Sequence, residues 1–254
     1  MKVLQKKGAR VEVWRDLAEL SERAAELFIA AAYDGITSEG IFNVALSGGS
    51  TPKATYTRLA QRGESESTAW LRTHVYWSDE RCVPPTDEQS NYRMAKESLL
   101  DHVPVAPQRI HRMHGEDEPH AAAQSYAALL AENLAAHDYR FGLILLGLGD
   151  DGHTASLFPH TPALDETERL VAANFVNKLQ VSRLTLTLPL INRASNIIFL
   201  VSGAAKADAL QLILEGDVDG RALPASLVQP VNGKLVWLVD EAAFSKMQAT
   251  NSPL

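Results

Sequence analysis

The chain alternates between short, densely apolar runs and longer stretches in which apolar residues recur every three or four positions. Ile41–Leu46, His74–Trp77, Leu143–Leu146, Ile197–Val201 and Lys234–Val239 are runs of the first kind. Apolar runs this short, with no polar face, fit strands buried on both sides. Val11–Trp14, Leu170–Phe175 and Leu184–Leu188 read as further strands, and Arg109–Met113 as a short one. In the second kind of stretch, Leu17, Leu20, Ala24, Leu27 and Phe28 predict a helix running to about Tyr33, opened by a capping box of Asp16 with Glu19. Lys53–Gln61, Asn91–Leu100, Pro119–Ala136, Ala204–Leu214 and Glu241–Met247 read as helices too. Strands alternating with helices imply an α/β fold, a mostly parallel sheet with helices on both faces. No segment reads as a linker, so residues 1–254 are expected to form a single domain.

Composition changes this picture in two respects. The formal net charge of −7 argues against nucleic acid or an anionic membrane as partner. It also means that an anionic substrate must be met by cations gathered locally. The single cysteine, Cys82, excludes an internal disulfide and a cysteine-based zinc site. The opening MKVLQKKGARVEV has no signal-peptide core, and no apolar run approaches the roughly eighteen residues of a membrane span, so the cytoplasm is the expected location.

Chemistry gathers at strand ends, where ligands of open α/β sheets bind. The strand at Leu143–Leu146 breaks into Gly147, Gly149 and Gly152, with Asp150 and Asp151 before His153. A histidine delivered by a glycine turn, with a carboxylate two residues away, suits a general base and the group that orients it. The same glycines match GxGxxG, the dinucleotide fingerprint. Two aspartates where a pyrophosphate would approach, and Pro159 and Pro162 cutting the following helix short, contradict that reading.

Ser47-Gly48-Gly49-Ser50-Thr51-Pro52 follows the strand at 41–46. Two glycines and the helix start behind them offer backbone N–H groups to an anion; the same residues would also serve an ordinary turn, with Thr51 as cap and Pro52 at the first helical position. The spacing is not that of a P-loop, and Ser50 lacks the second glycine of a nucleophile elbow. Arg81, in a charged segment that follows a strand and is stiffened by Pro84 and Pro85, is placed to be aimed rather than mobile. Arg183 precedes a strand. Lys206 opens a helix, where a cation opposes the helix dipole unless an anion binds beside it. The remaining histidines, including the HxxH pair His111 and His114, read as solvated surface positions, and Cys82 and the four tryptophans as packing residues.

The segments ALSGGSTP (45–52), VYWSDERCVP (75–84), SNYRMAKESLL (90–100), ILLGLGDDGHTASLFP (144–159), RLTLTLPLINRA (183–194) and SGAAKADAL (202–210), in this order, resemble the 6-phosphogluconolactonase family. The resemblance implies a fold like that of ribose-5-phosphate isomerase and the CoA transferases. It implies hydrolysis of a phosphosugar lactone in the oxidative pentose phosphate pathway, with no metal or organic cofactor. On this pattern His153 takes a proton from water, Asp151 holds it, and Arg81 faces either the oxyanion or the phosphate. Gly48, Gly49, Ser50 and Thr51, with Lys206 and Arg183, form the phosphate set. The expected partner is the small substrate alone, with neither nucleic acid nor membrane, the protein being a monomer or small homo-oligomer. The alternatives are a glucosamine-6-phosphate deaminase or isomerase, whose DGH motif continues differently from TASLFP, and a non-catalytic phosphosugar-binding protein.

Overall fold

The computed structural model describes residues 1–247. Its frame is a seven-stranded sheet. The chain enters through a hairpin of β1 (Lys2–Lys6) and β2 (Ala9–Trp14), then α1 (Leu17–Glu39) leads to β3 (Phe42–Leu46). Next come α2 (Ser50–Gln61), the short α3 (Ser67–Trp70), β4 (Thr73–Trp77), β5 (Asp79–Arg81) and α4 (Asn91–Ser98). The second half runs α5 (Pro119–Leu134), β6 (Leu143–Gly147), β7 (Val171–Val176), β8 (Val181–Leu186), α6 (Leu188–Ile191) and β9 (Asn196–Val201). It closes with α7 (Ala207–Glu215), β10 (Lys234–Asp240) and α8 (Glu241–Phe244).

The large sheet has the order β1-β2-β10-β9-β6-β3-β4, parallel throughout except for β1. Its apolar runs are buried on both faces because helices cover both. In β6, Ile144 and Leu146 join the core beneath α5 and α7, while Leu143 and Leu145 join the core beneath α1 and α2. In β9, Phe199 and Leu200 part in the same way. This is the mostly parallel, doubly covered α/β sheet that the apolar patterning predicts.

Local chemistry sets the element ends, with four departures from expectation. Helix α1 continues past Tyr33 to Glu39 and stops at Gly40, whose φ of 78° suits glycine and whose N–H reaches Ile36 O. Its Asp16 cap accepts the Glu19 N–H at 3.0 Å, while the Glu19 carboxylate reaches Arg15 N rather than closing the box on Asp16. Arg109–Met113 is not a strand: only Ile110 bridges to β4, at Val75. The fourth departure is a second, three-stranded antiparallel sheet in the order β5-β8-β7. Its apolar residues Val171, Leu184 and Leu186 belong to the same core as Ile144 and Tyr126.

Strand β3 connects onward to β4 on one side of the sheet, and β6 connects to β9 on the other. Between their carboxyl ends lies the topological switch point, where loops diverge and leave a crevice.

Candidate active site

Both glycine loops open into that crevice. Ser47 ties them together: its Oγ donates to Leu145 O of β6 at 2.6 Å and lies 2.8 Å from Ser78 Oγ beyond β4. Its backbone is clamped by the buried Tyr56 hydroxyl, which donates to Ser47 O and accepts from Ser47 N. Gly49, not Thr51, caps α2; its φ of 104° is open to glycine, and no side chain caps the helix. The first N–H groups of α2 therefore face a cavity of about 210 Å³. Gly48 serves a neighbour within the protein: a Cβ there would fall 1.8 Å from Asn91 Oδ1.

The cavity is walled by Gly48 to Thr51, Arg81, His153 and Lys206. An adjoining hollow of about 260 Å³ shares Arg81 and His153 and adds Asp151, Arg183 and Lys178. The expected phosphate set is thus divided, since Arg183 lies across His153 from the glycine loop and Lys206. Arg183 stands opposite Arg81 in the β5–β8 ladder. Burial and the Arg81 charge both pull the Arg183 pKa down. Arg81, Arg183 and Lys206 have no carboxylate within 4 Å among the described residues. The local gathering of cations required by the net charge is therefore present.

His153 Nδ1 lies 2.5 Å from Asp151 Oδ1. This leaves Nε2 as the nitrogen without a protein partner among the described residues. The ring stacks on Phe158 with centroids 4.1 Å apart. Burial opposes ionisation of Asp151, but hydrogen bonds from His153 and Lys178 outweigh it and hold the carboxyl well below the usual range. Gly149 makes room for this pair, because a Cβ there would lie 2.0 Å from His153 Nδ1. Gly152 turns at φ 76° beneath Leu223, and its carbonyl accepts the Ala225 N–H at 2.9 Å.

The segment around Arg81 is held by its two acids. Glu80 is buried and accepts N–H bonds from Arg81, Asn91 and Tyr92 at 2.7–2.8 Å, so it caps α4 from β5. Burial pushes its pKa up and these donors oppose the rise. Asp79 accepts from Ser156 Oγ at 2.7 Å and from Asn91 Nδ2 at 3.1 Å. Arg81 itself donates to Gln89 O at 2.5 Å. Asp79, Asn91 and Lys178 line the site without having been singled out in the sequence. The segments SDERC and SNYR carry the first two; nothing local marks Lys178. The HxxH histidines part company: His111 stacks on Tyr76 and meets His74 at 3.1 Å, while His114 stays exposed. Among the described residues no three histidine, cysteine or acidic side chains are placed to share a metal ion.

A family described as glucosamine-6-phosphate isomerases/6-phosphogluconolactonase matches residues 15–237. The chain belongs to that family. It is 43% identical over 243 residues to a 6-phosphogluconolactonase of Synechocystis sp., a match covering 94% of this chain and 98% of that one. The structure of 6-phosphogluconolactonase from Trypanosoma brucei is similar with a TM-score of 0.82 at 28% identity, over 96% of this chain and 100% of the other. A monomeric glucosamine-6-phosphate deaminase shares the fold at 23% identity, with a TM-score of 0.79 over 92% of this chain and 98% of its own. The α/β fold expected from the resemblance is the one observed. No helix among the described residues is long and apolar enough to cross a membrane.

Proposed function

We propose that this chain hydrolyses 6-phospho-D-glucono-1,5-lactone to 6-phospho-D-gluconate, with His153 as the base that activates water. 6-Phosphogluconolactonase activity places it in the oxidative pentose phosphate pathway. The observation that carries the mechanism is the His153–Asp151 contact of 2.5 Å at the rim of a cavity that also holds the uncapped start of α2. Asp151 fixes the proton on Nδ1, so Nε2 carries the lone pair. Water attacks the lactone carbonyl carbon as Nε2 takes its proton. The tetrahedral intermediate collapses, the bond from C1 to the ring oxygen breaks, and Nε2 returns the proton to that oxygen. Asp151 stabilises the imidazolium between the two steps.

The carbonyl oxygen becomes negative during attack, and Arg81, shared by both chambers, is the cation assigned to it. The phosphate is assigned to the N–H groups of Gly48 to Thr51 with Lys206. Arg183 supports it through the positive field it builds with Arg81. The scheme draws on no metal or organic cofactor and needs no covalent intermediate. The reading extends to a cytoplasmic monomer or small homo-oligomer that engages neither nucleic acid nor membrane, in keeping with the acidic net charge.

Generating the phosphogluconolactone in situ and following its loss above the spontaneous rate tests the activity. His153→Ala is expected to lower turnover by about 10²–10⁴-fold while 6-phosphogluconate binding is kept. Wild-type turnover in that variant would refute the general base. Ammonia release from glucosamine 6-phosphate would instead assign the deaminase reaction. Binding of 6-phosphogluconate with no acceleration of lactone opening would assign a non-catalytic role.

A further inference from the structure

Asp151 stands between two partners from different parts of the fold. Its Oδ1 meets His153 Nδ1 at 2.5 Å, and its Oδ2 meets Lys178 Nζ at 3.1 Å. Asp151 and His153 follow β6 in the large sheet, whereas Lys178 sits at the tip of the β7–β8 hairpin in the small one. That tip is an ordered turn. Leu179 N donates to Val176 O at 3.0 Å, and Gln180, at φ 54°, returns its side-chain amide to Asn177 O at 2.8 Å. The hairpin thus projects a long cation across the adjoining hollow onto the far oxygen of the carboxylate.

We propose that Lys178 is a positioning residue for the base: it fixes the outer oxygen of Asp151 so that the inner one stays on His153. A carboxylate bonded through one oxygen still turns about its Cβ–Cγ bond, and a second bond at the other oxygen fixes its plane. A carboxylate beside an imidazole also favours the imidazolium, which cannot accept a proton from water. The charged groups facing His153 are Asp150 and Asp151 of its own loop, Asp79 and Arg81 of β5, Arg183 of β8, Lys206 after β9, and Lys178. Among these cations Lys178 is the one in contact with Asp151. The Lys178 side chain is 65% exposed, so its effect is of the modest size of surface pairs and is screened by salt.

The inference rests on the general-base reading of His153, and the experiment separates the two. Lys178→Met and Lys178→Arg are compared with wild type in the in situ lactone assay at low ionic strength, and the His153 imidazole is titrated by NMR. Removing a positive charge makes protonation easier. Lys178→Met is therefore expected to move the acid limb of kcat/KM and the imidazole titration upward together by about 0.2–0.7 pH unit. It should lower kcat several-fold with KM little changed, Lys178→Arg should restore both, and in an Asp151→Asn background the kcat effect should vanish. An unmoved titration in Lys178→Met overturns the inference, and a raised KM with an unmoved acid limb makes Lys178 a substrate ligand instead. If the titration moves while His153→Ala keeps full turnover, the general-base reading fails and the electrostatic hold of Lys178 stands.

Discussion

Gly149 has the imidazole of His153 where any other residue would carry its own side chain. A Cβ would fall 2.0 Å from Nδ1 and 2.7 Å from Asp151 Oδ1, and both atoms belong to the pair that performs the proposed proton transfer. Gly149→Ala is expected to push the ring off the carboxylate and lower kcat by about 10²-fold or more, with the far-ultraviolet circular dichroism spectrum unchanged. Steady-state turnover of the variant in the in situ assay checks this. The same residue shows how far a sequence carries. Glycines after a buried strand announce that something approaches the backbone closely, and at 48, 149 and 152 something does. What approaches is Asn91, His153 and Leu223, each a side chain of the protein. Spacing alone cannot separate a packed neighbour from a ligand, because both need the missing Cβ.

At the scale of elements, the strands buried on both faces were legible because each needs only its own apolar run. The small antiparallel sheet was not. β5 reads as a charged segment, yet it pairs with β8 roughly a hundred residues away, and Glu80 is buried there only because α4 brings N–H donors to it. The start of α2 shows the same limit, since Gly49 caps it through a conformation rather than a side chain. Two histidines read as surface positions are also element contacts. His74 of β4 meets His111 at 3.1 Å, with Tyr76 stacked on the latter. Burial lowers both pKa values, with Arg109 and His137 adding to the effect at His74; His111 is lowered to about 4 by burial and by His74. The native state therefore keeps both rings neutral at a pH where the unfolded chain binds protons. Stability is expected to be intact above about pH 6.5 and to fall as pH drops through 6.5 toward 4, by on the order of 2–3 kcal/mol. Urea midpoints across that range, compared with a His111→Phe variant whose fall is shallower, measure the effect.

At the scale of the molecule, one core runs beneath both sheets: Val171 and Leu184 of the small sheet share it with Ile144 of the large one and Tyr126 of α5. We propose that the chain unfolds as one unit. Tryptophan fluorescence, reporting residues 14, 70, 77 and 237 around the large sheet, and hydrogen exchange of the β7–β8 amides are expected to give coincident urea midpoints. Separate midpoints would divide the chain in two.

The hydrogen bond from Ser47 Oγ to Leu145 O ties the loop after β3 to β6, the strand that carries the second glycine loop. On the proposed assignment, grip on the phosphate falls mainly to the loop at 47–51 with Lys206, and attack on the carbonyl to the loop at 147–153 with Arg81. Redesign can exploit this division. If the assignment holds, replacing residues 147–159 is expected to exchange the reaction while the loop at 47–51 and Lys206 still hold a substrate with the same phosphate tail. The reverse exchange would keep the chemistry and change the clientele.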